Sequence, residues 1–75
     1  MSQEHVVYLR IVNDVVGKIE SGEWPPGTKL PSSRELQEQY KVSHMVVRTA
    51  VTILRDRGLV RSVSGKGVFV SEKSP

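Results

Sequence analysis

Cysteine is absent from all 75 residues, so neither a disulfide nor a thiolate metal site can hold this chain together. No run approaches the roughly 18 apolar residues of a membrane span. The N-terminus also lacks the basic-then-apolar order of a secretory signal. These absences lead to the expectation of a reduced, cytoplasmic protein with no membrane partner. Length excludes more. Single domains run about 100–150 residues, so this chain makes one at most. A chain this short buries only about 60% of its unfolded surface, so its core must be small and helix-dense. Internal repeats, low-complexity tracts and an interior linker are all missing. With 37% hydrophobic and 25% charged residues, the composition is that of a folded rather than a disordered chain.

Charge is present and unevenly placed. The net charge is +3, but residues 1–30 carry three bases against four acids (Glu4, Asp14, Glu20, Glu23). Residues 31–75 carry eight bases against four acids. Between Gln39 and Ser71 the only acid is Asp56. An ordinary solvated surface can scatter charge this way. A basic half beside an acidic half is also the footprint of nucleic-acid binding.

Periodicity organises the chain. Tyr8, Ile11, Val12, Val15 and Ile19 fall at helical spacing and predict a helix over 4–20, stopped by Ser21-Gly22. Leu9 and Val16 widen that stripe, as core or as a contact with a second chain or domain. Gly17 inside the helix costs about 1 kcal/mol relative to alanine, so packing must hold the segment. Trp24-Pro25-Pro26-Gly27 forbids regular structure. Trp24 reads as a plug for the core rather than a stacking platform for a ligand. Thr28-Lys29-Leu30 has room for a very short strand.

Ser32 or Ser33 fits a helix N-cap, and Glu35 completes a capping box with Ser32. A helix over 33–40 follows, with Leu36 and Tyr40 inward, and Lys41-Val42 leaves space only for a tight turn. Ser43 is placed to cap a helix over 44–57, whose stripe Val47, Ala50, Val51, Leu54 matches the i, i+3, i+4, i+7 template. Gly58 follows it as the stop. Two β-type runs, 60–63 and 68–71, flank Ser64-Gly65-Lys66-Gly67 and predict a hairpin. The expected core joins the third-helix stripe to Leu36, Tyr40, Val42 and Ile19. The domain is expected over 4–71, with 72–75 a tail or the start of a linker.

Catalysis finds little support. Ser43 and His44 are adjacent, which does not build a nucleophile–base pair. His5 and His44 lie far apart, and neither has a metal partner at i+4. Gly65-Lys66-Gly67 is too short for a phosphate-binding P-loop and lacks its Ser/Thr. No enzyme activity, metal or cofactor is expected.

Helix, helix, helix, hairpin, with a tight turn before a helix that opens on polar residues, matches a winged helix-turn-helix, so the expected fold is mainly α with a small β-hairpin. An α-helix fits the DNA major groove, where its first turns meet base edges. Leu30-Pro31-Ser32-Ser33-Arg34-Glu35-Leu36, then Val42-Ser43-His44-Met45-Val46-Val47-Arg48, then Gly58-Leu59-Val60 and Gly65-Lys66-Gly67-Val68-Phe69-Val70 follow one order and spacing. Together with Tyr8, Ile19, Gly22 and Pro26-Gly27, they resemble the DNA-binding domain of GntR-family bacterial transcriptional regulators over about residues 6–71. Met45 two places after Ser43 is similar to the HutC-like branch.

The resemblance implies site residues. Arg34 would contact phosphate or base from the first helix of the motif. His44, Met45, Arg48 and Thr49 would lie at the groove-facing start of the second. Gly65, Lys66 and Gly67 would approach the minor groove or backbone, and Ser32 and Ser43 at the two helix starts join the set. Three departures bear on which operator is read: His44 where arginine is usual, Val46 where threonine is common, Thr49 where glutamate or glutamine is common. Duller roles exist for several of these. Arg34 can pair with Glu38, Met45 can cover the inter-helix turn, and Lys66 can simply solubilise a hairpin tip. Arg55 and Arg57 are expected in solvent.

The function implied is sequence-specific binding of double-stranded DNA by a transcriptional regulator. A metabolite-responsive repressor is expected, acting as a homodimer on a palindromic operator, with the effector held by a domain not present in these residues. The competing readings are a winged-helix protein-interaction module and a stand-alone small DNA-binding protein without effector control. RNA ranks last, because the narrow A-form major groove does not admit such a helix.

Overall fold

A computed structural model describes residues 3–72, with side chains from Val7 onward. The stripe that predicts the first helix builds α1 (Gln3–Glu20), which buries Ile11, Val12 and Val15. Tyr8, Val16 and Ile19 pack half-buried at its margins, while Leu9 remains exposed. At its end Ser21 N–H donates to Gly17 O at 2.9 Å, and Gly22 takes a left-handed φ of +85°. The chain then doubles back. Trp24 N–H donates to Lys18 O at 3.0 Å, and the half-buried indole packs on the rim of the core under the Lys18 ammonium, 5.5 Å from the ring centre.

The second helix, α2 (Ser33–Tyr40), begins with the reciprocal cap its sequence encodes. Glu35 N–H donates to Ser32 Oγ at 3.1 Å, and Ser32 N–H donates to Glu35 Oε1 at 2.8 Å. It stops at Lys41, the only non-glycine described residue with positive φ (59°). That left-handed residue makes the turn tight enough for α3 (His44–Asp56) to start three residues later. Arg57 and Gly58 close α3, with Leu59 N–H reaching back to Leu54 O at 3.1 Å.

The hairpin pairs β1 (Val60–Val63) with β2 (Gly67–Val70), in the register Val60 with Val70 and Val63 with Gly67. The second strand thus sits one residue earlier than the expected 68–71. The Thr28–Leu30 segment lies along β2 as a single bridge, Lys29 to Phe69. Leu30 N–H donates to Val68 O and Val70 N–H to Thr28 O, both at 2.8 Å. The loop after α1 is thereby stitched to the wing.

Eleven buried side chains form the core: Ile11, Val12, Val15, Leu30, Leu36, Val46, Val47, Ala50, Leu54, Val60 and Val70. Four residues expected inside, Ile19, Tyr40, Val42 and Val51, are only half-buried. Val46 takes a place not assigned to it. Val46 is buried beside Val47 on α3, whereas Val51 lines the hollow between α3 and the hairpin. Tyr40 instead reaches across to α1, donating its hydroxyl proton to Asp14 Oδ2 at 2.6 Å. Partial burial, followed by that bond and the nearby carboxylate charge, pushes its pKa up to about 12.

One position in α1 carries avoidable cost. Gly17 is exposed in mid-helix, and a Cβ there would meet nothing within 4 Å. Gly17→Ala is expected to stabilise the fold by about 0.5–1 kcal/mol. In a domain of this size that raises the thermal midpoint by roughly 2–8 °C. A melt followed by far-UV circular dichroism checks it, and an unchanged or lower midpoint counts against this reading of α1.

Candidate nucleic-acid interface

Burying Val46, Val47, Ala50 and Leu54 on one face of α3 forces the opposite face into water. That outward face carries Met45, Arg48, Thr49 and Thr52, with His44 and Arg55 along its edge toward the hairpin. Met45 is 64% exposed and does not plug the inter-helix turn. Thr49 donates its hydroxyl proton to Met45 O at 3.0 Å, so toward solvent it offers a methyl group and an acceptor oxygen. Arg48 lies at the boundary of two shallow hollows, one on the outer face of α3 and one between α3 and the hairpin. The single ion pair among the described residues is Lys18–Glu23, so both Arg48 and Arg34 keep their guanidinium forks uncommitted.

The two helix starts differ. Ser32 Oγ accepts the capping N–H of α2 and retains its own proton. Ser43 occupies the N-cap position of α3 but makes no side-chain cap bond, which corrects the expectation that it caps this helix. With no acidic residue after it to close a box, α3 is held instead by packing of its apolar face, and the helix starts on backbone bonding alone, Val47 N–H to Ser43 O at 3.4 Å. The first-turn N–H groups of α3 are therefore left uncapped by Ser43, with the positive end of the helix dipole behind them. That end faces solvent beside exposed Ser43, His44 and Met45.

His44 is not a free surface ring. Its Nδ1 lies 3.1 Å from Ser33 Oγ, joining the start of α3 to the first turn of α2. Arg34 follows Ser33 on that exposed turn. Arg55 is exposed, as expected, and its Nη1 donates to Ser62 Oγ on β1 at 3.5 Å. Arg57 lies in solvent as expected.

The wing projects from the far end of the hairpin. Gly65 and Gly67 have φ of +76° and +129°, conformations that side chains rarely adopt, and Lys66 stands exposed between them. Gly67 has a second reason to lack a side chain. A Cβ there would fall 2.9 Å from Lys29 Cε, because the lysine stem crosses the glycine. The Lys29 ammonium is thus carried to the root of the wing, on the same sheet face as Arg61, since both residues pair with Phe69. Local sequence gives no sign of this. Lys29 belongs to the acidic N-terminal half and meets the wing only through the bridge to β2. His44, Arg48, Ser33 and Ser62 come together around the α3–hairpin hollow. Met45 and Thr49 lie on the outer side of α3, and Lys66 stands apart at the tip. Among the described residues no group of His, Asp and Glu could hold a metal, and no helix is long and apolar enough to cross a membrane.

Known proteins place this geometry. Residues 7–70 match the model of bacterial regulatory proteins, gntR family. The HTH-type transcriptional repressor NagR of Bacillus subtilis is 39% identical over 66 residues, 88% of this chain and 27% of its own. A histidine utilization repressor of Pseudomonas aeruginosa is 38% identical over 88% of this chain and 26% of its own. The chain thus spans about a quarter of the length of these relatives. Among solved structures, the DNA-binding domain of AraR in complex with operator ORR3 superposes with a TM-score of 0.83 and 34% identity, covering 87% of this chain and 78% of that one. A GntR family transcriptional regulator from Listeria monocytogenes gives 0.83 at 28% identity, over 89% of this chain and 59% of its own.

Proposed function

The chain belongs to the gntR family of bacterial regulatory proteins, and from that premise we propose that residues 4–71 read double-stranded DNA in a sequence-specific way. The observation that carries this is the bare outward face of α3, flanked by an uncapped helix start on one side and a glycine-hinged basic wing on the other. The AraR domain, similar in fold, is a complex with operator DNA. In this reading α3 enters the major groove. His44 and Arg48 meet base edges, Met45 and Thr49 offer apolar contact to thymine methyls, and Arg34 meets phosphate or base from α2. Ser32, Ser43 and the first-turn N–H groups of α3 hold phosphates. Gly65, Lys66 and Gly67 approach the minor groove and its backbone.

The regulator is proposed to repress transcription in the cytoplasm, as a homodimer on a palindromic operator, because symmetric half-sites match a symmetric dimer. The named relatives are repressors and more than three times as long. Response to a small-molecule effector is accordingly assigned to a domain outside these residues.

The test is selection of bound duplexes from a randomised pool, followed by titration of two variants at several salt concentrations. Lys66→Ala is expected to weaken selected and random duplexes almost equally and to lower the salt slope by about 1. His44→Ala is expected to cost roughly 1–3 kcal/mol on the selected duplex and much less on random DNA. Failure of the pool to converge on any sequence would overturn the proposal.

A further inference from the structure

His44 belongs to a chain of hydrogen bonds that runs across two helices. Ser33 Oγ stands 3.1 Å from His44 Nδ1 and 3.2 Å from Gln37 Nε2, one turn along α2. A hydroxyl has one proton and two lone pairs. Gln37 donates its amide N–H into one lone pair, and the Ser33 proton is then free to be given to Nδ1. A neutral imidazole that accepts at Nδ1 carries its own proton on Nε2. Nε2 lies on the side of the ring away from Ser33, and His44 is exposed at the first position of α3.

We propose that Ser33, backed by Gln37, is the positioning residue that fixes the ring orientation and tautomer of His44, so that Nε2–H is presented to DNA as a donor. This rests on the base-reading role given to His44 above. A donor at this point selects acceptors on the major-groove edge: guanine N7 or O6, adenine N7, thymine O4. Without the serine hydroxyl the ring turns about its bond to the backbone side and exchanges tautomers. The same position then offers a donor or an acceptor. Affinity for DNA in general survives that change. Discrimination between sequences does not.

Ser33 is suited to such a role by its place in the fold. It is half-buried, whereas both Ser32 and Arg34 beside it are exposed. The cap of α2 is made by Ser32 and Glu35. Replacing Ser33 therefore removes no cap, and its effect on DNA can be separated from an effect on folding.

The experiment compares wild type, Ser33→Ala, His44→Ala, the double variant and Ser33→Thr. Each is titrated on the duplex that wild type selects from a random pool and on random duplex of equal length. Ser33→Ala is expected to lower the selected-to-random preference about fivefold, the loss of one hydrogen bond. The double variant is expected to show no more loss than His44→Ala alone, and Ser33→Thr, which keeps the hydroxyl, to restore the preference. Nitrogen-15 spectra of the imidazole should report the Nε2–H form in wild type and a mixture in Ser33→Ala. If Ser33→Ala weakens both duplexes equally, or its effect adds to that of His44→Ala, the positioning role is wrong. If His44→Ala itself leaves the preference intact, the base-reading role falls, and the positioning role falls with it. The two failures differ in whether His44→Ala alone lowers the preference.

Discussion

Leu54→Ala is expected to remove a large part of the stability of this domain. Leu54 is wholly buried on the face of α3 that meets the interior, and its carbonyl accepts the bond that closes the helix. Truncating a buried leucine costs about 2.7–5 kcal/mol, because the cavity left behind closes only partly. At about 0.05–0.15 kcal/mol per residue, a 75-residue chain holds about 4–11 kcal/mol in total. The thermal midpoint should then fall by at least about 10 °C. DNA binding at growth temperature should weaken with it, although Leu54 lies far inside the groove-facing surface. Leu9→Ala is the control, since Leu9 is 41% exposed and its loss should stay within about 0.5 kcal/mol. Circular dichroism melts of the two variants decide the matter. A Leu54→Ala midpoint close to that of Leu9→Ala would mean that the α1–α3 packing described here is wrong.

The same packing explains which parts of the molecule were legible in sequence. Local signals are legible where the physics is local. The Ser32–Glu35 box, the Gly58 stop and the apolar period of each helix act within a few residues, so element boundaries follow from them to within about a residue. The core was less legible. Periodicity gives the width of an apolar stripe but not which neighbour lies against it, and Val46 is buried while Val51 is only half-buried. Ser43 shows the opposite failure. Its residue type suits a cap, yet no side-chain cap bond forms, because residue type permits a cap without requiring one.

The functional face divides in the same manner. Exposure of Met45 and Thr49 on the open side of α3 follows from the helical period, while their place in the groove-facing set is what the family resemblance implies. Contacts between segments were not legible. Ser33 with His44, Arg55 with Ser62, and Lys29 across Gly67 each join residues that only the folded hairpin or the α2–α3 turn brings together. Two of these contacts meet α3, Ser33 at its first residue and Ser62 in its last turn.

Arg48 carries the other large expected loss in DNA reading. It is exposed one turn beyond His44, on the edge of the α3–hairpin hollow. It has no carboxylate partner among the described residues. Its planar fork can therefore approach guanine O6 and N7 with two parallel bonds, the arrangement worth about 1–3 kcal/mol of discrimination. Arg48→Ala should weaken binding to the selected duplex by roughly 5- to 150-fold, with a smaller loss on random DNA. Arg48→Lys separates the two contributions an arginine makes. Lysine keeps the positive charge but lacks the fork, so random-duplex binding and the salt slope should be retained while most of the preference is lost. Titration of the three proteins on both duplexes at two salt concentrations measures each quantity directly. Should Arg48→Lys bind the selected duplex as tightly as wild type, Arg48 is a phosphate contact, and base reading would rest on His44 and its neighbours at the start of the helix.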